Sequence, residues 1–582
     1  MTHAPSASVN TAASTGTAST ATDNYRTARD QLVRLRENHV QASAEFVWPD
    51  VGANFNWAVD WFDVIAHGND QTALWIVEED GRERRISYAQ MSAVSDRVAT
   101  WMTRIGIKHG DRVLLMLGNQ AELWEAMLAI MKIGAVIMPT STVLGSADLQ
   151  DRVLRGGVDH VLANSIDADK FDSVTGSYSR ICVTGEVDGW IDFADAYEVD
   201  AERILPVVRS EDPSLVYFTS GTTNKPKMVT HTQTSYPVGH LSTMFWLGLC
   251  PGDVHLAISS PGWGKHAWSS FFSPWIAGAT VFVYNYARFD AAALLAQLER
   301  ALVNSFCAPP TVWRMLIQAE LGVKPSGLRE LMSAGEPLNP EVIRQVEHKW
   351  ALTIRDGFGQ TETTATIGNA PGSRLKPGSM GMPLPGVTVA LIDPISGAFA
   401  DEGEICIDLA QNPANVMAGY HGDPEGTAEA TRDGYYHTGD VASRDGDGYI
   451  TFIGRTDDVF KSSDYKVSPF EVESVLLEHP AVAEAAVVPA PDGTRLNIPK
   501  AYITLAPGWE PTGETALSVL IHARHSLPAY MRVRRVEFAD LPKTSSGKIR
   551  RVELREREDH AAATDASLPG EWRDDQFPDL KA

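Results

Sequence analysis

Between residues 46 and 391 the hydrophobic positions alternate between two periods. After Ser87, the residues Met91, Val94, Val98, Trp101 and Ile105 recur at spacings of three and four. This predicts a helix with one apolar stripe, capped by the serine. The short apolar run 113–117 then predicts a buried strand. A second run, 214–218, predicts another strand that feeds straight into a loop rich in serine, threonine and glycine. Alternation of this kind predicts an α/β fold, in which ligands bind at loops leaving strand ends. Residues 400–454 carry many turn signals, among them Asp445-Gly446-Asp447-Gly448, and read as β-rich. A helix start is predicted at Ser468-Pro469-Phe470-Glu471, where serine can cap, proline takes the first helical position and glutamate completes a capping box. Apolar runs at 485–488 and 501–505, a helix near 516–527 and a strand near 533–538 follow, predicting a small C-terminal α+β domain.

The chain has 582 residues, 44% hydrophobic and 21% charged, enough to bury more than one core. The expected division is a disordered tail at 1–23, a large domain at 24–455, a small domain at 456–557 and an acidic tail at 558–582. Fifty Lys and Arg against 74 Asp and Glu give a formal net charge of −24, which excludes broad binding to nucleic acid or anionic lipid. Any phosphate must be held at a local site. Cys182, Cys250, Cys307 and Cys406 form no CxxC pair, so the expectation is neither a zinc site nor a disulfide framework, in a reducing cytoplasm. The N-terminal stretch has neither the basic start nor the apolar core of a signal peptide. The longest apolar stretch, 126–138, is broken by Lys132 and stopped by Pro139. It falls short of the roughly 20 residues that cross a bilayer, so no membrane partner is expected.

Residues 217–227 read YFTSGTTNKPK. In Thr219, Ser220, Gly221, Thr222, Thr223 and Lys227, hydroxyls, backbone N–H groups and an ammonium converge in a loop suited to the phosphates of ATP and to departing pyrophosphate. The pattern is not the GxxxxGK[ST] of P-loop NTPases, and by itself it also suits an ordinary turn. Four more segments follow in order: Ser333-Ala334-Gly335-Glu336-Pro337, Asp356-Gly357-Phe358-Gly359-Gln360-Thr361-Glu362, Tyr436-His437-Thr438-Gly439-Asp440, and 541–548, ending in Lys548. Together they resemble the acyl-CoA synthetase, luciferase and nonribosomal adenylation-domain superfamily across about residues 46–556. The resemblance implies a large N-terminal adenylation domain of several subdomains with a small mobile C-terminal domain. It implies that Gly335, Glu336, Pro337 and Asp356 to Phe358 frame adenine, that Thr361 contacts phosphate and that Glu362 ligates Mg²⁺. Asp440 would grip the ribose with Arg455 as partner, Asp457 would be the hinge, and Lys548 would meet the substrate oxyanion and the α-phosphate. A hard carboxylate for the metal and a lysine for the developing charge both suit transfer at phosphorus.

Residues 261–289 look most like medium-chain acyl-CoA and aryl-CoA synthetases, which makes Trp263, His266 and Trp268 candidate contacts for the acid's tail, although aromatics at such spacing also suit plain core. The implied reaction joins a small carboxylic acid to AMP, expels pyrophosphate and passes the acyl group to CoA. One departure leaves the acceptor open. Asp464 stands where the CoA ligases carry a glycine, beside Lys466 in place of an arginine. Bulk and negative charge there would narrow the channel and repel the phosphates of CoA. An alternative acceptor is therefore an amine, including an aryl amine diazotised by adenylated nitrite. Asn224, where glycine is frequent, is a milder change, because asparagine tolerates left-handed backbone. A catalytically dead scaffold is a third reading, opposed by the joint presence of Thr222, Lys227, Glu362, Asp440, Arg455 and Lys548.

Overall fold

A computed structural model describes residues 20–202, 206–219, 226–336, 338–394, 396–462, 465–492, 495–543, 548–564, 568 and 570–581. Two large sheets carry the N-terminal part. One has nine strands in the order Met382–Pro383, Ala365–Gly368, Ile354–Gly359, Glu330–Ala334, Ser305–Cys307, Val254–Ala257, Thr280–Tyr284, Thr72–Val77 and Glu83–Ser87. The five pairings from Ile354–Gly359 through to Thr72–Val77 are parallel, as continuous apolar runs buried on both faces require. The other has eight strands, in the order Gly419–Tyr420, Lys227–Thr232, Pro213–Thr219, Val136–Pro139, Arg112–Met116, His160–Ala163, Ser179–Cys182 and Ile191–Asp192.

Helices pack on these sheets for reasons visible in their sequences. Tyr88–Arg104 is capped by Ser87, with a capping box closed by Gln90, and buries Met91, Val98 and Trp101. The helix Ala121–Ile133 is buried nearly all round. Lys132, which interrupts that apolar run, is itself enclosed, with its ammonium 2.8 Å from Asp63 and 2.5 Å from Asp96. Pairing of this kind is what a buried charge needs.

A four-stranded sheet of Val389–Ile392, Glu402–Asp408, Tyr435–Arg444 and Ile450–Arg455 carries the Tyr436-His437-Thr438-Gly439-Asp440 segment and Arg455. Beyond it a separate apolar core gathers Phe460, Val467, Val472, Val487, Ile503, Val519 and Leu580. Its helix Pro469–Leu476 is capped by Ser468, which accepts from the N–H of Glu471. Its sheet orders Val482–Asp492, Leu496–Leu505, Arg535–Phe538 and Glu571–Arg573. The chain is thus a mixed α/β molecule with a large N-terminal part and a small α+β C-terminal domain. Contact between them includes the Asn339 amide donating to the Ser474 carbonyl at 3.3 Å and Lys466 facing Glu402 at 3.5 Å.

Both expected tails need correction. The helix Thr20–Arg34 starts inside the N-terminal one, because Tyr25, Ala28 and Leu32 form a buried stripe and the Tyr25 hydroxyl donates to the Pro237 carbonyl at 2.9 Å. The stretch 558–582 is no solvated acidic tail. It completes the helix Arg551–Thr564 and adds the strand Glu571–Arg573, since Glu558 and Glu571 are counter-charges of the fully buried Lys500. None of the described helices is long and apolar enough to cross a membrane.

Candidate active site

Thr219 and Lys227 are cross-strand partners, so the hydroxyl-rich loop leaves and re-enters the sheet at one point. Ser220, Gly221, Thr222, Thr223, Asn224, Pro337 and Asp464 lie outside the described residues. The strand Gly419–Tyr420 pairs with the far side of Lys227–Thr232 and brings Tyr420 across. The Lys227 ammonium lies 3.5 Å from the Tyr420 hydroxyl and 4.5 Å from its ring centroid. That hydroxyl donates to Glu362 Oε1 at 3.1 Å. Ammonium, phenol and carboxylate are therefore strung together from three distant segments.

Next to them, Gln360 acts as a hub. Its amide donates to the Thr438 carbonyl at 2.8 Å and to the Asp440 carboxylate, and it accepts from the Tyr436 hydroxyl at 2.7 Å. Arg455, the cross-strand partner of Asp440, approaches Asp440 Oδ1 at 3.3 Å. Burial pushes the Asp440 carboxyl up to about 6, while Arg455, Gln360 and Lys548 act in the opposite sense. Burial pulls Arg455 down, yet Asp440, Asp457, Asp458 and Glu362 more than offset it and hold the guanidinium above its ordinary value. Lys548 thus lies within electrostatic reach of Asp440, although it is distant in sequence.

Gly439 adopts φ +71°, and a Cβ on it would come within 3.1 Å of Arg455 Nη2. Only glycine sits there without strain. Glu404 fixes the same turn, accepting from Gly439 N–H and facing His437 Nδ1, both at 2.8 Å. Asp457 is 3.6 Å from Arg455 and 4.0 Å from Arg555, so the hinge candidate sits inside an ion network. Lys466 is turned toward Glu402.

In the segments expected to frame adenine, Gly335 takes φ +105° with open space where a Cβ would be. Glu336 follows it, half-buried. Asp356 is buried, and desolvation raises its carboxyl to about 8 against the pull of the Gly357 and Leu338 N–H groups and of Lys265. Gly357 lies under Trp246, whose indole donates to the Asp356 carbonyl at 3.2 Å, and Phe358 continues the strand, half-buried. Lys265 donates to the Ala334 carbonyl at 3.1 Å, tying this wall to the helix Gly264–Ala267. Thr361 is anchored by His231, whose Nε2 donates to its carbonyl at 2.7 Å. Burial lowers that imidazole to about 4, so it is neutral.

His266 and Trp268, two of the three aromatic candidates, have different partners. His266 is buried against Trp124, with Asn119 Oδ1 at 3.1 Å, and burial lowers its imidazole to about 3. Trp268 turns the other way and donates to the Tyr236 hydroxyl at 2.8 Å. Trp263 is the half-buried residue preceding that short helix. Tyr420, Gln360, Lys265, Glu404 and His231 were not singled out from sequence. Gln360 sits in the signature segment and Lys265 in the aromatic one, whereas Tyr420 follows Glu362 by 58 residues and carries no local signal.

A family model described as AMP-binding enzyme matches residues 62–421, and one described as AMP-binding enzyme C-terminal domain matches 471–548. The 4-hydroxybutyrate–CoA ligase 1 of Metallosphaera sedula is 43% identical over 517 residues, covering 87% of this chain and 91% of that protein. A mitochondrial acyl-coenzyme A synthetase of Mus musculus is 35% identical over 556 residues, 92% of this chain and 95% of its own. Among solved structures, an anthranilate CoA ligase in complex with anthranoyl-AMP superposes with TM-score 0.79 at 27% identity, covering 88% of this chain and 99% of its own. A Brucella canis acyl-CoA synthetase gives 0.69 at 32%, with 90% and 99% covered. The chain belongs to the AMP-binding enzyme family. Within it, the chain is an AMP-forming ligase of the acyl-CoA and aryl-CoA ligase type.

Proposed function

We propose that this enzyme activates a small carboxylic acid as its acyl-AMP, releasing pyrophosphate, and transfers the acyl group to the thiol of CoA. The observation that carries this reading is the junction of Lys227, Tyr420 and Glu362 with Gln360, Asp440 and Arg455. The acid carboxylate attacks the α-phosphorus of ATP, forming the P–O bond to the acid as the bond to pyrophosphate breaks. Asp440 accepts from the ribose hydroxyls, a carboxylate having lone pairs beyond those used by Arg455 and Gln360. Lys227, at the mouth of the 220–225 loop, offsets charge on the departing pyrophosphate. Lys548, close enough to bias Asp440, faces the entering carboxylate and the α-phosphate. Glu362 fits a hard divalent cation, because its carboxylate is oriented by Tyr420 and is the acidic member of the Lys227 group. When bound there, Mg²⁺ supplies charge neutralisation on the phosphate oxygens.

The second step follows rotation of the small domain about Asp457, which withdraws Lys548 and presents the 463–466 segment. CoA is the acceptor named for several of the relatives, among them the 4-hydroxybutyrate and anthranilate ligases. The test is acid-dependent ATP–pyrophosphate exchange over a panel of acids plus nitrite, repeated with and without CoA, for the wild type and Asp464→Gly. The proposal expects exchange with a carboxylic acid and a CoA thioester as product. Exchange with nitrite, or with an acid but no thioester, would replace CoA by an amine acceptor.

A further inference from the structure

The strands Glu402–Asp408 and Tyr435–Arg444 pair in a register that slips part-way along. Cys406 faces His437 and Glu404 faces Val441, so Thr438, Gly439 and Asp440 are set against Ile405 alone. Asp440 is therefore carried on a bulge. Glu404 and Cys406, two apart on one strand, share a face, and the pairing brings His437 onto it. His437 Nδ1 lies 2.8 Å from Glu404 Oε2 and 3.4 Å from Cys406 Sγ. One ligand atom from each of the three residues lies within 4.8 Å of the others. Glu404 and Cys406 are buried, and the His437 side chain is 7% exposed. Carboxylate, thiol and imidazole thus meet at one place, brought there by strand pairing with no CxxC spacing to announce it.

The spacings suit a tetrahedral ion. Zinc bonds of about 2.3 Å to sulfur and about 2.0 Å to nitrogen and oxygen put sulfur and nitrogen about 3.5 Å apart, and nitrogen and oxygen about 3.3 Å apart. The first spacing is already present, and the second needs about 0.5 Å more. Thiolate and carboxylate together offset the two charges of the ion. Cys406 Sγ releases its proton to solvent on binding, and the imidazole carries its own on Nε2. That nitrogen is buried with no hydrogen-bond partner, so nothing holds the competing tautomer in place. Arg432 Nη2 stands 3.5 Å from Glu404 Oε2, but its Nη1 is 3.0 Å from Glu429 Oε1, a partner it keeps when a cation enters. Mg²⁺ and Ca²⁺ take oxygen shells, whereas sulfur and imidazole select zinc. The other three-ligand group among the described residues, Glu537, Glu558 and Glu571, has neither and already holds the Lys500 ammonium.

We propose that Glu404, Cys406 and His437 bind one Zn²⁺ ion, with water as fourth ligand, and that the ion weakens ATP binding through the bulge. Glu404 Oε1 accepts from the Gly439 N–H at 2.8 Å, so spreading Glu404 and His437 to admit the ion displaces Gly439 and the adjoining Asp440. The coupling rests on the ribose contact proposed for Asp440; the site does not. The test titrates the metal-free full chain, without ATP, with Co²⁺ as a spectroscopic stand-in, then with Zn²⁺. One equivalent of Co²⁺ should give thiolate-to-metal charge-transfer absorption that Zn²⁺ abolishes and excess Mg²⁺ leaves. Cys406→Ser should lose that absorption and bind Zn²⁺ at least about 10-fold more weakly; if it does not fold, Cys406→Ala carries the same test. No such absorption in the wild type, or the same absorption in a folded Cys406 variant, would overturn the site. In pyrophosphate release at one buffered free Zn²⁺ concentration, the KM for ATP should rise about 5-fold in the wild type and stay unchanged in Cys406→Ser. A KM unmoved by bound zinc would overturn the coupling alone. Absence of pyrophosphate release from the zinc-free chain with every acid would overturn the acid-activating reading, and the cobalt spectrum would still decide the site.

Discussion

Two clusters of buried charge in this molecule are finished in different ways. In the C-terminal domain the Lys500 ammonium meets Glu537 at 2.9 Å, Glu558 at 2.6 Å and Glu571 at 2.8 Å. Arg557 and Arg573 pair with Glu537 at 2.5 Å and with Glu571 at 2.7 Å, so three cations answer three carboxylates. The three glutamates lie close enough together to hold a metal ion, but the lysine ammonium stands among them. At the candidate site, by contrast, the Lys227 ammonium meets a phenol, Glu362 meets the same phenol, and the Asp440 carboxyl is raised by burial despite Arg455. Burial of charge alone therefore does not mark a site. A cluster that neutralises itself is a staple; Lys227 and Glu362, held apart by a phenol, leave charge for a ligand to answer.

The sharpest break of this contrast is Lys500→Met. Removing one member of a buried ionic group strands the others, so the loss should be about 3–5 kcal/mol of stability, read as early thermal unfolding of the C-terminal domain. Survival at wild-type temperature would mean that the cluster is not a staple. Lys548→Ala should act in the opposite way, leaving unfolding unchanged while lowering acyl-AMP formation by about 10²- to 10³-fold, the usual cost of one donor aimed at transition-state charge. Pyrophosphate release at the wild-type rate would refute the role assigned to Lys548.

The smallest effect is a pH profile. The folded Asp440 carboxyl titrates near 6, above its ordinary value of 3.8, so the folded chain binds this proton more tightly than the unfolded one. Its contribution to stability is full below the ordinary value and is lost as pH rises through about 6. The proposed ribose contact needs the ionised form, which has the reverse dependence, so on that proposal kcat/KM for ATP should fall as pH drops below about 6. Asp440→Asn should weaken ATP binding and lose this acid limb. A limb that persists unchanged in the variant would assign it to another group.

Much of this was legible in one dimension. The stripe after Ser87 and the strand ending at Thr219 follow from periodicity, and Ser468 caps the predicted helix. What sheet order decides was not legible. Tyr420 reaches Lys227 only because its two-residue strand pairs with Lys227–Thr232, and no spacing announces that. Trp263, His266 and Trp268 are neighbours in sequence, yet helical geometry sends His266 to Asn119 and Trp268 to Tyr236. The last residues read as an acidic tail because their counter-charge, Lys500, is remote in sequence.

The proposed reaction forms the acyl-AMP before the acyl group is transferred. The decisive assay mixes the enzyme with ATP, Mg²⁺ and the carboxylic acid that best supports ATP–pyrophosphate exchange, without CoA, quenches in acid and resolves the products, then repeats the assay with CoA added. The expected result is one equivalent of enzyme-bound acyl-AMP with matching pyrophosphate, converted to acyl-CoA and AMP once CoA is present. Formation of ADP and an acyl phosphate, with neither acyl-AMP nor AMP, would contradict it.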